Sequence, residues 1–175
     1  MDGRCRGASE GGFTIVELLT GIIVIVVLAG IAVPQVLDML LAYRLRTAAL
    51  QVASVLHHSR QSAVSTLRRY RFRFEPAEGP DPGGAYHLEI ADGARWIPGP
   101  VGVRSLPPGV SIDPASTPRT KAIPFDPRGT VTPTGTIRLR SLAGGYEVAI
   151  SSQGRVAVRK CGTRGHPCPW LTPDP

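Results

Sequence analysis

The sequence predicts an α+β fold: one long N-terminal helix, first of membrane type and then amphipathic, packed on a small antiparallel β-sheet head. Three observations predict it. The run Phe13–Val33 is apolar over 21 residues and holds one ionisable side chain, Glu17. After it, apolar residues recur every three or four positions from Leu37 to Leu67. Beyond that, short alternating segments are separated by clusters of Gly and Pro.

The first element follows from length and charge. A 21-residue helix (Phe13–Val33) rises ~31 Å, about the hydrocarbon thickness of a bilayer. A carboxylate inside such a helix costs about 2.5–3.5 kcal/mol on insertion scales, so Glu17 is a functional candidate. Pro34 lacks a backbone donor and is expected to kink or loosen the helix there. The stripe Leu41, Leu45, Ala48, Val52, Val55, Ser59, Ala63 and Leu67 then marks one face of an amphipathic helix. Arg44, Arg46, Gln51 and Arg60 fall outside it.

The head reads as β structure. Tyr70-Arg71-Phe72-Arg73-Phe74 alternates aromatic and basic residues as a half-exposed strand does. Further strands are expected at Tyr86–Ile90, Thr120–Phe125, Thr136–Leu142, Tyr146–Ile150 and Arg155–Lys160. Leu142-Ala143-Gly144-Gly145-Tyr146 predicts a hairpin, with the glycine pair able to take positive φ. Pro76–Gly84 and Pro98–Pro118 are expected to be irregular connections. There is no internal repeat.

With 175 residues and a net charge of +7, the chain has room for one domain beside its helix. Enzyme chemistry finds no support in the motifs. His57 and His58 are adjacent on a helix and point ~100° apart. Walker, dinucleotide and CxxC motifs are missing. No cofactor is implied, and Trp96 and Trp170 read as core or interface anchors.

Gly11-Gly12-Phe13-Thr14-Ile15-Val16-Glu17-Leu18-Leu19 resembles the start of type IV prepilins and type II secretion pseudopilins. These share a polar leader ending in glycine, then Phe-Thr-x-x-x-Glu-Leu or a close variant at the head of an apolar helix. The resemblance implies that residues 1–12 are a leader, removed by a prepilin peptidase cutting after Gly12, with methylation of the new Phe13 amine. It implies an assembly helix over 13–33, an amphipathic continuation over 34–68 and a periplasmic head over 69–175. Glu17 then pairs with the Phe13 amine of a neighbouring subunit. Charges ~4 Å apart at an effective dielectric of ~20 attract by about 4 kcal/mol.

Phe125-Asp126-Pro127-Arg128-Gly129 and Gly154-Arg155-Val156-Ala157-Val158-Arg159-Lys160-Cys161 narrow the resemblance to the GspH/FimT branch of minor subunits. Its partners would be other pilin subunits and an inner-membrane assembly platform with its ATPase. The implied location is the bacterial inner membrane, single-pass, with the head in the periplasm and incorporation into a pseudopilus or pilus. Charge bias does not set this orientation, because Arg4 and Arg6 on one side balance Arg44 and Arg46 on the other. It rests on the processing motif and the cysteines.

Processing would remove Cys5 and leave Cys161 and Cys168, which suit a disulfide in an oxidising compartment. A zinc reading adds His166, but three ligands fall short of a structural tetrahedral site. Two functions stay open: a type II secretion pseudopilin, or a FimT-like pilin with DNA binding. For the second, Arg155, Arg159, Lys160 and Arg164 cluster around the last strand. The Gly-Arg-x-Arg pattern associated with such binding is departed from, since Ala157 stands at its second arginine.

Overall fold

The structure is a computed structural model that describes residues 13–76 and 83–161. The chain divides into two units, Met1–Leu37 and Asp38–Pro175.

In the first unit the described residues belong to helix α1 (Ile15–Thr66), apart from Phe13 and Thr14 before it. Thr14 caps the helix: its Oγ1 accepts a hydrogen bond from the Glu17 amide at 3.3 Å. Thr14-Ile15-Val16-Glu17 has the Ser/Thr-x-x-Glu spacing of a capping box, so the motif that opens the apolar run also starts the helix. By length and composition α1 is able to cross a membrane, and its most apolar stretch has no residue buried. The helix continues through position 34, so Pro34 does not end it.

The second unit contains the rest of α1 and two antiparallel sheets. The first sheet runs in the order β3 (Arg95–Pro98), β2 (Gly84–Asp92), β1 (Tyr70–Pro76), β6 (Ala122–Phe125), with β4 (Arg104–Ser105) also on β2. The second runs β5 (Ser111–Ile112), β7 (Gly135–Ser141), β8 (Gly144–Ile150), β9 (Val156–Cys161). Alternation sets each inner face. Tyr70, Phe72 and Phe74 are buried while Arg71 and Arg73 are half-buried on the other side of β1. Ile137 with Leu139, and Val148 with Ile150, do the same in β7 and β8. Phe72 stacks on Tyr86 at 5.5 Å between ring centroids, near the middle of the aromatic core.

The expected helix stripe supplies the other wall. Leu45, Ala48, Val52, Val55, Ser59 and Ala63 are buried, joined by Ala49, Ala53 and Leu56. Its ends are corrected. Leu37 is exposed, and Leu67 lies beyond the helix with φ 53, a left-handed residue that stops the spiral. Ser59 is accommodated because its hydroxyl donates to the Val55 carbonyl at 2.7 Å.

Several strand boundaries also move. Lys121 has φ 55, so the strand expected from Thr120 begins at Ala122. The β7–β8 hairpin turns at Leu142-Ala143, and of the glycine pair only Gly144, at φ 124, takes positive φ, as the first residue of β8. Arg155 lies outside β9, which starts at Val156 after the left-handed Gly154. The Pro98–Pro118 stretch is less irregular than its composition suggests, because it contains β4 and β5. Most of Pro76–Gly84 lies outside the described residues.

Candidate functional site

Three surfaces carry the residues that sequence reasoning singles out. The first is the head of α1. Phe13 is 81% exposed, and Glu17 lies exposed on the first turn. An exposed apolar surface of this kind requires a lipid or protein covering. Gly12 lies outside the described residues.

The second is the outer face of the β5–β7–β8–β9 sheet. Arg155, Ala157 and Arg159 are exposed, while Val156 and Val158 between them pack on the core. The two arginines therefore share a face, as the period of an extended chain requires. Lys160 belongs to the opposite side of the strand, and Arg164 and His166 lie outside the described residues. The fold adds two arginines that a linear reading missed. Arg138 on β7 aligns with Glu147 on β8, and Glu147 with Arg159 on β9, so one cross-strand row reads Arg–Glu–Arg. Arg140, one row on, reaches Ser111 Oγ at 3.3 Å and the buried Asp113 carboxylate at 3.8 Å. Arg138 Nε donates to Glu147 Oε1 at 3.3 Å, so a carboxylate sits within the basic face.

Cys161 closes β9 and is disulfide-bonded. Cys168 lies outside the described residues.

The glycine motifs near this face have a local cause. Arg60 of α1 donates from Nε to the Gly129 carbonyl at 3.2 Å. A Cβ on Gly154 would stand 2.6 Å from both Arg60 Nε and the Gly129 oxygen, and Gly154 has φ 72. Gly129, at φ 76, closes the turn after the buried Phe125 and donates from its amide to the Asp126 carbonyl at 2.8 Å. Val131 N donates to the Ser152 carbonyl at 2.9 Å, tying the two turns together. Both glycines are there because helix and turns meet without room for a side chain.

The third surface is the outer face of the first sheet. Arg71 pairs with Glu89, His87 Nε2 lies 3.4 Å from Glu89 Oε1, and the Arg71 guanidinium lies 4.3 Å from the Trp96 ring centroid. Burial pushes the Glu89 carboxyl up, but Arg71 and His87 together outweigh it and hold it below the ordinary value. Tyr86 beneath is pushed up by burial, against a smaller downward pull from Arg104. Trp96 anchors a surface cation rather than the core, which corrects one half of its expected role.

The family model for type II transport protein GspH matches residues 48–154. The chain belongs to the GspH family. The match begins at Ala48, a fully buried helix residue, and ends at Gly154 beneath Arg60. It thus spans the head core, whereas the apolar helix start and Arg155–Lys160 lie outside it. Among solved structures, the minor pseudopilin EpsH of the Vibrio cholerae type 2 secretion system is similar, with TM-score 0.52 and 12% identity. That match covers 67% of this chain and 97% of EpsH. The type IV minor pilin FimU of Pseudomonas aeruginosa matches with TM-score 0.48 and 20% identity, over 67% of this chain and 90% of FimU. No curated protein matches the chain in sequence. The GspH-family chain has a pilin-like α+β fold, a long N-terminal helix with antiparallel sheet, as EpsH has. Its apolar N-terminal helix suits a membrane anchor by length and composition.

Proposed function

We propose that the chain is a minor pseudopilin of a type II secretion system. A prepilin peptidase removes residues 1–12, cutting after Gly12, and the Phe13 amine is methylated. Residues 13–33 anchor the protein in the bacterial inner membrane, residues 34–68 continue the helix, and the head from 69 onward lies in the periplasm. An inner-membrane assembly platform then adds the subunit to a periplasmic pseudopilus that supports protein secretion.

The observation that carries this reading is an apolar helix start exposed on every side, with its single carboxylate one turn from Phe13. An unpaired carboxylate in that setting is costly, and a neighbour's Phe13 amine offsets the cost. The GspH family's description as a type II transport protein supports the secretion reading. Glu17→Val is expected to be inserted and cleaved normally but to fall at least tenfold in the sheared fibre fraction. Wild-type recovery of Glu17→Val in fibres would refute the pairing.

A second reading, a FimT-like minor pilin acting in pilus assembly or DNA uptake, is favoured by one feature. Arg155 and Arg159 are exposed on a common face, with Arg138 two strands away across Glu147. The Cys161–Cys168 disulfide belongs to both readings, and free thiols at both positions in non-reduced protein would count against it.

A further inference from the structure

The outer edge of β2 is lined by β3 and β4 in succession. Arg95 stands opposite Asp92 at one end, and Arg104 opposite Tyr86 toward the other. From Asp92 to Ala85 the edge runs ~23 Å at ~3.3 Å per residue. Between the arginines the surface is apolar: Ile97 is 39% exposed, Val103 is 71% exposed, and Pro98 and Pro100 are exposed. The connecting segment is held against β2, with Gly99 N donating to the Leu88 carbonyl at 2.7 Å and Leu88 N to the Val101 carbonyl at 3.4 Å. Two prolines and two backbone bonds make this a preformed surface rather than a flexible loop.

Neither Arg95 nor Arg104 forms an ion pair among the described residues. Other arginines on or beside this sheet are already matched: Arg68 with Asp92, Arg71 with Glu89, Arg73 with Glu75. An apolar strip bracketed by two unmatched cations is the layout of a docking surface with a polar rim. The chain's +7 charge makes a second copy of itself a poor occupant, since like charges at contact repel.

We propose that the β3–β4 edge docks a different, acidic pilin-type subunit, whose carboxylates meet Arg95 and Arg104 while an apolar patch covers Ile97 and Val103. The proposal rests on the reading of the chain as a fibre subunit and names the chemistry of its neighbour.

The test uses the full-length chain in its native membrane, with a photo-cross-linking amino acid in place of Val103. The expected product is a covalent adduct with a pilin-type subunit of acidic isoelectric point. Arg95→Glu with Arg104→Glu should reduce that adduct at least tenfold. Arg95→Lys with Arg104→Lys should retain it, and Arg119→Glu, an exposed arginine elsewhere, should leave it unchanged. An adduct with a second copy of the chain, with a neutral or basic protein, or with nucleic acid overturns the proposal. So does no adduct, or one indifferent to charge reversal. Recovery of the chain in sheared fibres is scored in parallel. Its presence without the adduct sinks this docking alone, whereas its absence sinks the fibre reading itself.

Discussion

Glu89 shows how a single residue on the head couples stability to pH. Its carboxyl is half-buried on a sheet face, which by itself raises its pKa, yet Arg71 and His87 hold it below the ordinary 4.5. A carboxylate with a lowered folded pKa stabilises the native state above the unfolded value. That contribution drains away as pH falls below about 4.5 and through the folded value. Arg71→Met removes the main compensating charge and leaves desolvation in control. The variant is expected to lose about 1.5–3 kcal/mol near neutral pH, the usual worth of a hydrogen bond to a charged group. The acid loss linked to Glu89 should also disappear, because a carboxyl whose folded pKa lies above its unfolded value gains stability as pH falls. Urea unfolding between pH 3 and 7 measures both, and identical pH profiles for the two proteins would show that Arg71 does not set the Glu89 titration. The Trp96 ring over Arg71 was not legible in the sequence, because β2 separates the two strands and only register brings them together.

Between elements, the junction of α1 with the two glycine turns explains why the motif glycines matter. Gly154→Ala asks an L-residue to hold φ 72 and places its Cβ 2.6 Å from a backbone oxygen that has nowhere to move. The left-handed backbone alone costs about 1–3 kcal/mol, and the steric clash adds to it. Gly102→Ala is the control, since nothing lies within 4 Å of its Cβ, and it should stay within about 0.5 kcal/mol of wild type. Equal unfolding midpoints for the two variants would remove the steric account. The elements themselves were largely readable. The helix stripe and strands β1, β2, β6, β7, β8 and β9 follow period 3.6 and period 2, because each turns its apolar side chains to one face. What stayed hidden were β3, β4 and β5: β4 and β5 are two residues each, and β3 runs directly into the proline-rich stretch at Pro98. Turn geometry was hidden as well. The glycine pair at 144–145 marks the hairpin, but the preceding Leu142-Ala143 makes the bend.

For the whole molecule the decisive quantity is charge, and how the fold distributes it. Sequence reasoning found Arg155 and Arg159 but not Arg138, Arg140 or the carboxylate among them, since cross-strand rows depend on pairing rather than on spacing. A phosphate path over this face meets Arg159 and Arg138 with Glu147 between them, so the face is a weaker anion site than its arginine count suggests. This arrangement yields a signed prediction. A soluble fragment from Ala42 onward, titrated with duplex DNA over a salt series, should bind with a steep negative salt slope if the DNA-uptake reading holds. Arg155→Ala with Arg159→Ala should then weaken binding and flatten the slope by about 0.9 for each phosphate no longer neutralised. Glu147→Gln should instead tighten binding, because it removes a like charge from the phosphate path. Binding unaffected by all three substitutions would locate any affinity elsewhere on a basic chain. No binding at low salt would leave the outer β7–β8–β9 face as a solvated surface and the secretion pseudopilin as the reading that accounts for the protein.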